Sequence, residues 1–358
     1  SEVALIELIN ALPEELYNIT LVLLDSDNEY AYRLKKNVNI VQLTFNSSFA
    51  KSLVSMYAFP AKVLKKLSVN SFIAYYDFIS NCVTNVFEKT YDIAIDFYGY
   101  GSFVTAFLAT KIQAKKKATW LHDEKPYWMK SVQKYLCEYD KIYGVSQAVV
   151  DAFCREYPHY KDKAAVFYNV IDIEEIKRKS EQDEIIPFNE SFNIVTVGRL
   201  TEQKGYDIAI KAASILKKRK INFAWYAIGG GRDEKKLKKL VEKYCLENQF
   251  VFLGRKKNPY PYMKHCDLYV QPSRHEGYVI TLVEARALCL PILSSDIPSA
   301  REQIQDGING YVAELSAEDL ADKIEYLYNN PSQRKKTVEY LKEHPIDFST
   351  ELLKLEII

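Results

Sequence analysis

Several features that define other classes of protein are missing from this 358-residue chain. It has no stretch of about 18 uninterrupted apolar residues, so the sequence predicts no membrane-spanning helix. No secretory signal peptide is recognisable at its start. Its 6 cysteines form no C-x-x-C pair, which argues against a zinc site and against a disulfide framework. These absences predict a protein of the reducing cytoplasm.

A strong charge imbalance and the common cofactor motifs are missing as well. Lysine and arginine number 48 and aspartate and glutamate 47, so the net charge of +1 indicates no nucleic-acid partner. No G-x-G-x-x-G followed by an acid about twenty residues later is present, which argues against an NAD-dependent dehydrogenase. The nearest match to a metal-binding D-x-D is D-S-D at 25–27, which we interpret as a surface turn. We therefore expect neither a metal ion nor another cofactor.

What the second half does contain is a regular alternation of strand and helix patterns. Short β-branched and aromatic runs predict strands at 192–198, 223–229, 250–254, 267–271 and 291–295. Helical periodicity is found between them at 206–219, 233–245 and 279–289. This succession indicates right-handed crossovers and a mostly parallel, doubly wound sheet.

The first half repeats the pattern less regularly and predicts a second α/β sheet. Its strands are predicted at 18–24, 91–97, 117–122 and 141–145, and its helices near 1–11, 101–113 and 127–138. The polar, charge-rich segment 168–190 indicates a boundary, so we predict domains at 1–168 and 169–340 and a C-terminal helix at 341–358 that packs back towards the first domain. Because the chain opens on a helix, we expect the first strand and glycine-rich turn of a Rossmann-like domain to be missing, with Glu2 as a remnant of that turn.

The most informative motif is R-H-E-G-Y-V-I-T-L-V-E-A at 274–285, which follows a predicted strand and runs into a helix. Its two carboxylates, Glu276 and Glu284, are separated by about 12 Å at helical rise, so they could hold opposite ends of one ligand. The backbone N–H groups near Gly277, Tyr278 and Val279 open the helix and would favour an anion. Alternatively, Thr281 and Glu284 form a capping box and Glu276 is a solvated loop residue.

Two cations follow the first strand of this half, in the loop G-R-L-T-E-Q-K-G at 198–205. Arg199 and Lys204 therefore lie at the carboxyl end of a strand, which is where open α/β sheets bind ligands. Two fixed cations can neutralise a diphosphate without Mg²⁺. An isolated surface cation would mean little, but these two accompany the glutamate pair.

With these motifs the sequence resembles glycosyltransferase family 4, along nearly its whole length. The resemblance is carried by the E-x7-E pair, the 198–205 loop, the glycine turn at 229–231 and F-L-G-R-K-K-N-P-Y-P-Y-M at 252–263. It implies two facing Rossmann-like domains of the GT-B type with a cleft between them, the first on the acceptor side and the second binding a nucleotide-sugar. It further implies that Arg199 and Lys204 hold the diphosphate, Glu284 the ribose hydroxyls and Glu276 the donor sugar.

The same resemblance extends the expected donor site to neighbouring positions and to the first domain. The expected donor contacts include the base-lining segment 254–258 and are Arg199, Lys204, Gly230, Arg255, Lys256, Asn258, Glu276, Gly277, Tyr278, Val279 and Glu284. In W-L-H-D-E-K at 120–125, His122 follows a predicted strand and resembles a cleft histidine that touches the donor sugar or the acceptor. We therefore expect His122, Glu276, Arg199 and Lys204 to take part in catalysis.

The expected activity is that of a retaining, metal-independent hexosyltransferase that uses a nucleotide-diphosphate sugar. A UDP-sugar is the favoured donor, and a glycan or lipid-linked acceptor of bacterial surface-glycan synthesis is the favoured acceptor. The alternatives are an inactive glycan- or nucleotide-binding protein of the same fold, or a sugar-nucleotide epimerase. The complete set of two cations and two glutamates argues against an inactive relic.

An anionic membrane surface is a further expected partner. The stretch 47–76 carries Lys51, Lys62, Lys65 and Lys66, no acid until Asp77 and many apolar side chains, as basic amphipathic segments of bilayer interfaces do. It predicts a peripheral position on the inner face of the plasma membrane. The same apolar residues could instead pack on the first sheet or line an acceptor groove.

Overall fold

The computed structural model describes most of the chain as two compact α/β units. The residues described are 2–24, 31–46, 48, 69–85, 87, 89–99, 102–182 and 191–356. The first unit is Ser1–Ile171 with Phe348–Ile358, and the second is Asp172–Asp347. The division between them falls three residues after the boundary at 168 that the sequence indicated.

Strands of the first unit pair in parallel in two sheets. The strands are β1 (Thr20–Leu23), β2 (Asn39–Gln42), β3 (Tyr91–Asp96), β4 (Ala114–Leu121), β5 (Lys141–Gly144) and β6 (Ala164–Val166). The helices before the boundary are α1 (Glu2–Ala11), α2 (Val69–Cys82), α3 (Phe103–Lys111) and α4 (Gln147–Glu156). β1 pairs with β2, and the other four strands form a sheet of order β3-β4-β5-β6. The predicted parallel α/β character of this half is confirmed.

The predicted helix at 127–138 is instead two short 3₁₀ helices, Pro126–Ser131 and Gln133–Glu138. Val132 between them leaves helical geometry, with φ −122° and ψ 6°. Met129, Val132 and Tyr135 are buried at intervals of three residues. That spacing matches the three residues per turn of a 3₁₀ helix better than the 3.6 of an α-helix.

The second unit is built around one parallel sheet of six strands. Its strands are β7 (Phe192–Val197), β8 (Phe223–Ile228), β9 (Phe250–Gly254), β10 (Leu268–Gln271), β11 (Ile292–Ser295) and β12 (Tyr311–Ala313). Its helices are α5 (Ile173–Ser180), α6 (Tyr206–Lys218), α7 (Glu234–Lys243), α8 (Tyr260–Lys264), α9 (Ile280–Ala287), α10 (Pro298–Arg301), α11 (Ala317–Asn329) and α12 (Pro331–Glu343). The strand order is β12-β11-β10-β7-β8-β9, as in a doubly wound sheet. The five strands predicted here are confirmed.

Both faces of this sheet are covered by apolar side chains. Alternate residues of a strand point to opposite faces, so Ile194 and Trp225 join the cluster that packs on α6, α7 and α11. Their neighbours Val195 and Tyr226 join the cluster on the other face, with residues of α8 and α9. Burial on both faces explains why β7 and β8 read as nearly continuous hydrophobic runs.

The chain returns to the first unit through its last helix, α13 (Ser349–Glu356). Lys354 Nζ donates to the carbonyl of Val166 at 3.0 Å, and the hydroxyl of Tyr143 donates to the carbonyl of Lys354 at 3.2 Å. Glu351 accepts a bond from the backbone N–H of Tyr168 at 3.0 Å and pairs with Lys354 at 2.7 Å. These polar contacts hold α13 beside the ends of β5 and β6.

Within the described part of the chain, no helix is both long and apolar enough to cross a bilayer. The lysines of the basic stretch 47–76 and the D-S-D sequence at 25–27 lie outside the described residues. Contact with an anionic membrane surface and the turn at 25–27 therefore stay predictions.

Gly205 is the residue that lets α6 begin where it does. Its φ of +66° lies in the left-handed region, and a Cβ added to it would lie 1.8 Å from the carbonyl oxygen of Pro272. Only a residue without a side chain fits both the backbone conformation and this close approach. Gly205 therefore brings the loop after β7 against the loop after β10.

Replacing Gly205 by alanine should destabilise the second unit more than the same change at Gly307. Gly307 also has positive φ, +78°, but a Cβ there would have nothing within 4 Å. Gly307→Ala should cost about 1–2 kcal/mol from the backbone alone, and Gly205→Ala should add about 1–3 kcal/mol from the steric overlap. Urea unfolding followed by circular dichroism measures both, and equal losses would show that the approach to Pro272 is not tight.

Candidate functional site

The strand order creates a natural binding position in the second unit. From β7 the chain moves to β8 on one side, whereas β10 lies on the other side of β7 and leads to β11. After the loops that follow β7 and β10, the chain therefore continues towards opposite edges of the sheet. Crevices of this kind, at the point where strand order reverses, are where doubly wound sheets bind their ligands.

Lys204 and Glu276 meet at this point. Lys204 ends the 3₁₀ turn Glu202–Lys204 after β7, and Glu276 lies in the loop after β10. The Lys204 Nζ atom is 2.6 Å from Glu276 Oε1, with 16% and 9% of the two side chains exposed. An ion pair so withdrawn from water is screened less than a surface pair. The structure thus joins two predicted site residues that are far apart in sequence.

The two loops are also fastened to each other beside this pair. Arg274 pairs with Asp207 through two bonds of 2.8 Å and donates a third to the carbonyl of Glu202. The backbone N–H of Arg274 donates to the carbonyl of Gln203 at 2.8 Å, and the Gln203 side chain donates to the carbonyl of His275 at 3.0 Å. Bidentate pairing lowers the pKa of Asp207 and raises that of Arg274. Together these hydrogen bonds and the Arg274–Asp207 ion pair fix where Lys204 and Glu276 lie.

Arg199 extends from the same loop into solvent. Its side chain is exposed and makes no hydrogen bond or ion pair with the residues that the structure describes. The backbone on either side is held, because the N–H of Gly198 donates to Ile228 at 2.9 Å and that of Leu200 donates to Gly230 at 3.1 Å. The backbone at Arg199 is thus held in place, and its guanidinium extends into solvent without a partner among the described residues. An anionic ligand could bind there.

The predicted base-lining positions follow β8 and β9. Arg255 lies over Gly230, since a Cβ there would be 3.0 Å from Arg255 Nε. The exposed Lys256 has its Nζ 5.0 Å from the centre of the Tyr262 ring. The Asn258 side chain is engaged within the protein: it donates to Lys179 and Gln182 and accepts from the backbone N–H of Tyr260. These bonds hold the Asn258 side chain in place within the loop, and its contact with a donor stays a prediction.

The helix that carries Glu284, α9, begins at Ile280, directly after the segment Gly277-Tyr278-Val279. Val279 is the N-cap of α9 and provides no side-chain cap, and Thr281 is already its second helical residue. The T-x-x-E capping box is therefore wrong, because a capping threonine must precede the helix. Glu284 Oε1 instead accepts a 2.9 Å bond from the hydroxyl of Tyr260, a partner that the sequence did not reveal.

His122 follows β4 in the first unit, as the sequence indicated. It is partly buried, and because a carbonyl can only accept, its Nε2 donates to the Phe97 carbonyl at 2.6 Å. Burial lowers the pKa of His122 from 6.5 to about 4, against the opposing effect of that hydrogen bond. At neutral pH the ring is therefore uncharged, and the part of His122 in catalysis stays a prediction.

His122 should make the folded state less stable as the pH falls. Its folded pKa of about 4 lies below the unfolded value of 6.5, so the unfolded chain binds the extra proton between these pH values. Lowering the pH from 7 to 5 should cost about 2 kcal/mol through this residue. We expect His122→Gln to lose less stability than wild type over that range in urea titrations. An unchanged pH dependence for His122→Gln would show that the ring is not buried as neutral imidazole.

Comparison with known proteins gives a match for the part of the chain that carries this site. Residues 177–344 match the family model described as glycosyl transferases group 1. This segment is similar to the glycosyl transferases of group 1. The matched segment contains each predicted site residue apart from His122. No group of three or more metal-ligating side chains occurs among the residues described.

Two relatives each match about half of the chain. An uncharacterized glycosyltransferase of Methanocaldococcus jannaschii is 32% identical over 172 residues, which are 47% of this chain and 40% of that protein. The N-acetylgalactosamine-N,N'-diacetylbacillosaminyl-diphospho-undecaprenol 4-alpha-N-acetylgalactosaminyltransferase of Campylobacter jejuni is 30% identical over 184 residues, 48% of this chain and 49% of that protein. The chain thus spans about half the length of the curated relatives that it matches.

Solved structures extend the likeness to both units. A glycosyltransferase from Rickettsia africae superposes with a TM-score of 0.73 at 18% identity, covering 99% of this chain and 93% of that one. HepE of Anabaena in complex with UDP gives a TM-score of 0.72 at 17% identity, covering 99% and 94%. At such identities the likeness concerns the fold, and it confirms the predicted class of two Rossmann-like domains of the GT-B type.

Proposed function

We propose that this chain is a retaining, metal-independent glycosyltransferase that moves a hexose from a nucleotide-diphosphate donor to an acceptor hydroxyl. The observation that carries the proposal is the pairing of Lys204 with Glu276 at the strand-order reversal, with the free cation Arg199 on the same loop. A diphosphate needs fixed positive charge, and a sugar hydroxyl needs a buried acceptor. This site offers both side by side.

The ion pair leaves Lys204 able to bind phosphate. An ammonium has three N–H donors, and one of them is used by Glu276. The remaining donors and the guanidinium of Arg199 can take up the negative charge that develops on the departing diphosphate. A divalent metal ion is then not required for this role.

The chemistry we propose is a front-face displacement. The bond from the sugar's anomeric carbon to the diphosphate oxygen breaks, and the acceptor oxygen forms its bond to the same face of that carbon. The acceptor's proton passes to an oxygen of the leaving phosphate. This route gives retention, and it makes no use of a carboxylate nucleophile.

The relatives suggest which ligands to test first. HepE of Anabaena has been crystallised with UDP and with UDP-glucose, which favours a UDP-sugar donor for this chain too. The name of the Campylobacter jejuni relative describes a diphospho-undecaprenol-linked substrate, which favours a lipid-linked acceptor in bacterial surface-glycan synthesis. Such an acceptor fits the membrane contact predicted from the stretch 47–76, and co-sedimentation with anionic vesicles at low salt tests that contact.

A panel of nucleotide-sugars, assayed with and without oligosaccharide and lipid-linked acceptors, tests the activity directly. We expect slow hydrolysis without acceptor, faster transfer with one, and a product of retained anomeric configuration by NMR. Activity should survive EDTA. Binding without turnover would instead favour the inactive relative of this fold, and an epimerised nucleotide-sugar would favour the epimerase.

Arg199→Ala and Lys204→Ala should each slow turnover strongly while the protein stays folded. Each variant removes a positive charge from the place where negative charge develops, so we expect a loss on the order of 2–4 kcal/mol of transition-state stabilisation. Lys218→Ala is the control, since this exposed lysine ends α6, the helix that begins beside the site. Near wild-type kcat at saturating donor in either site variant contradicts the diphosphate assignment.

The two glutamates should separate in calorimetric titrations with UDP and with the full donor. Glu284→Ala should weaken both ligands, because we assign it to the ribose that they share. Glu276→Ala should weaken only the full donor, because we assign it to the sugar. Equal losses with both ligands for both variants would mean that the pair acts on protein structure alone.

A further inference from the structure

A row of buried polar side chains connects to Glu276 from within the protein. Tyr269 and Gln271 on β10 and Ser273 just after it are fully buried, at 0% exposure. The hydroxyl of Tyr269 donates to Gln271 Oε1 at 2.5 Å, and that of Thr281 on α9 donates to the same oxygen at 2.9 Å. Gln271 Nε2 donates in turn to Ser273 Oγ at 2.6 Å, and Ser273 Oγ donates to Glu276 Oε1 at 2.7 Å.

The chemistry of these groups fixes which way the Gln271 amide points. Its Nε2 lies 3.4 Å from Glu276 Oε1, and an ionised carboxylate can only accept hydrogen bonds. With the amide reversed, a carbonyl oxygen would face that carboxylate. Two hydroxyl donors on the opposite side, from Tyr269 and Thr281, hold the carbonyl oxygen there. The amide can therefore satisfy its four neighbours in one orientation only.

Gln271 also decides what Ser273 does. A serine hydroxyl has one proton to give, and the N–H of Gln271 occupies an acceptor position on Ser273 Oγ. With that position filled, the serine proton is left for Glu276. Without the Gln271 donor, the hydroxyl could rotate and the carboxylate would lose a fixed partner.

All these donors and Lys204 reach the same carboxylate oxygen. Oε1 of Glu276 accepts from Lys204, Ser273 and Gln271, whereas Oε2 has no partner among the residues that the structure describes. Because the side chain is 9% exposed, it has little freedom to turn. Because the protein holds Glu276 through Oε1, Oε2 is the oxygen left to contact a ligand.

We propose that Gln271, held by Tyr269 and Thr281, is a positioning residue that turns Glu276 so that Oε2 meets a hydroxyl of the donor sugar. This inference rests on the proposed function, which assigns the sugar to Glu276. It makes the orientation of Glu276 depend on Gln271, a residue outside the E-x7-E motif. Thr281 lies three residues before Glu284 on α9. One chain of hydrogen bonds therefore connects Glu276, assigned to the sugar, with the helix that carries Glu284, assigned to the ribose.

Thr281 offers the mildest test, because valine keeps its shape without the hydroxyl and serine keeps the hydroxyl. Calorimetry with UDP and UDP-glucose should show UDP-glucose binding about three- to tenfold more weakly to Thr281→Val, as expected for one lost hydrogen bond. UDP binding should stay within about twofold, and Thr281→Ser should restore UDP-glucose binding. Thr337→Val is the matched control: this buried hydroxyl on α12 bonds the Gln333 carbonyl, and its loss should leave both ligands unaffected.

Gln271→Glu is the stronger test, because it replaces the N–H donor by an oxygen of nearly the same size. Two carboxyl groups at the present 3.4 Å cannot both ionise, so Glu276 would share one negative charge with the new group. The preference for UDP-glucose over UDP should therefore fall further than in Thr281→Val. Circular dichroism checks that this variant folds. If it does not fold, the Thr281 series decides.

The outcomes separate this inference from the proposed function. If Glu276→Gln weakens UDP-glucose but the Thr281 and Gln271 variants do not, the positioning role is overturned and the donor assignment stands. If wild type binds neither ligand, or Glu276→Gln has no effect on UDP-glucose, the proposed donor or the role of Glu276 fails. The positioning role is then judged by urea unfolding of Thr281→Val, Glu276→Gln and the double variant. The two residues make no direct hydrogen bond, so additive shifts overturn coupling through Gln271 and non-additive shifts support it.

Discussion

The ion pair between Lys204 and Glu276 is the constraint around which the second unit's site is organised. Its two members belong to loops after β7 and β10, strands that are neighbours in the sheet but 72 residues apart in sequence at the paired positions. A carboxylate with 9% of its side chain exposed needs partners that compensate for lost hydration. The Arg274 contacts, the close approach of Gly205 and the buried amide of Gln271 all hold these two loops in the register that the pair requires.

The two cations of this site differ in how far the protein compensates their charge. Lys204 is already neutralised by a buried partner, whereas Arg199 is exposed and has none among the described residues. Under the proposed function, Arg199 is therefore the more accessible of the two cations for the donor's diphosphate. A lysine held in this way does not need to be reorganised when negative charge develops, which is the condition under which fixed charges stabilise a transition state most.

The sequence allowed most strands and the doubly wound, parallel character of the second unit's sheet to be predicted, because burial on both faces produces apolar runs. The expected site residues lie in the loops at the ends of those strands, and their roles stay predictions. The strands β2, β6 and β12 were missed, and β6 and β12 have only three residues each, too few to show a pattern. The pairing of Lys204 with Glu276, the bond from Tyr260 to Glu284 and the engagement of Asn258 could not be predicted. Each depends on which strands become neighbours, and no local spacing contains that information. Gln271 gave one signal, a polar residue ending the apolar strand D-L-Y-V-Q.

The return of α13 to the first unit bears on how the protein is made. Residues 172–347 form one continuous stretch, whereas the first unit combines Ser1–Ile171 with Phe348–Ile358. A ribosome therefore releases the whole sequence of the second unit before the helix that closes the first. Until Lys354 reaches Val166 and Glu351 reaches Tyr168, the sheet end beside β6 lacks its cover. The unit synthesised first is thus the unit completed last, which reverses the usual order of domain folding during translation.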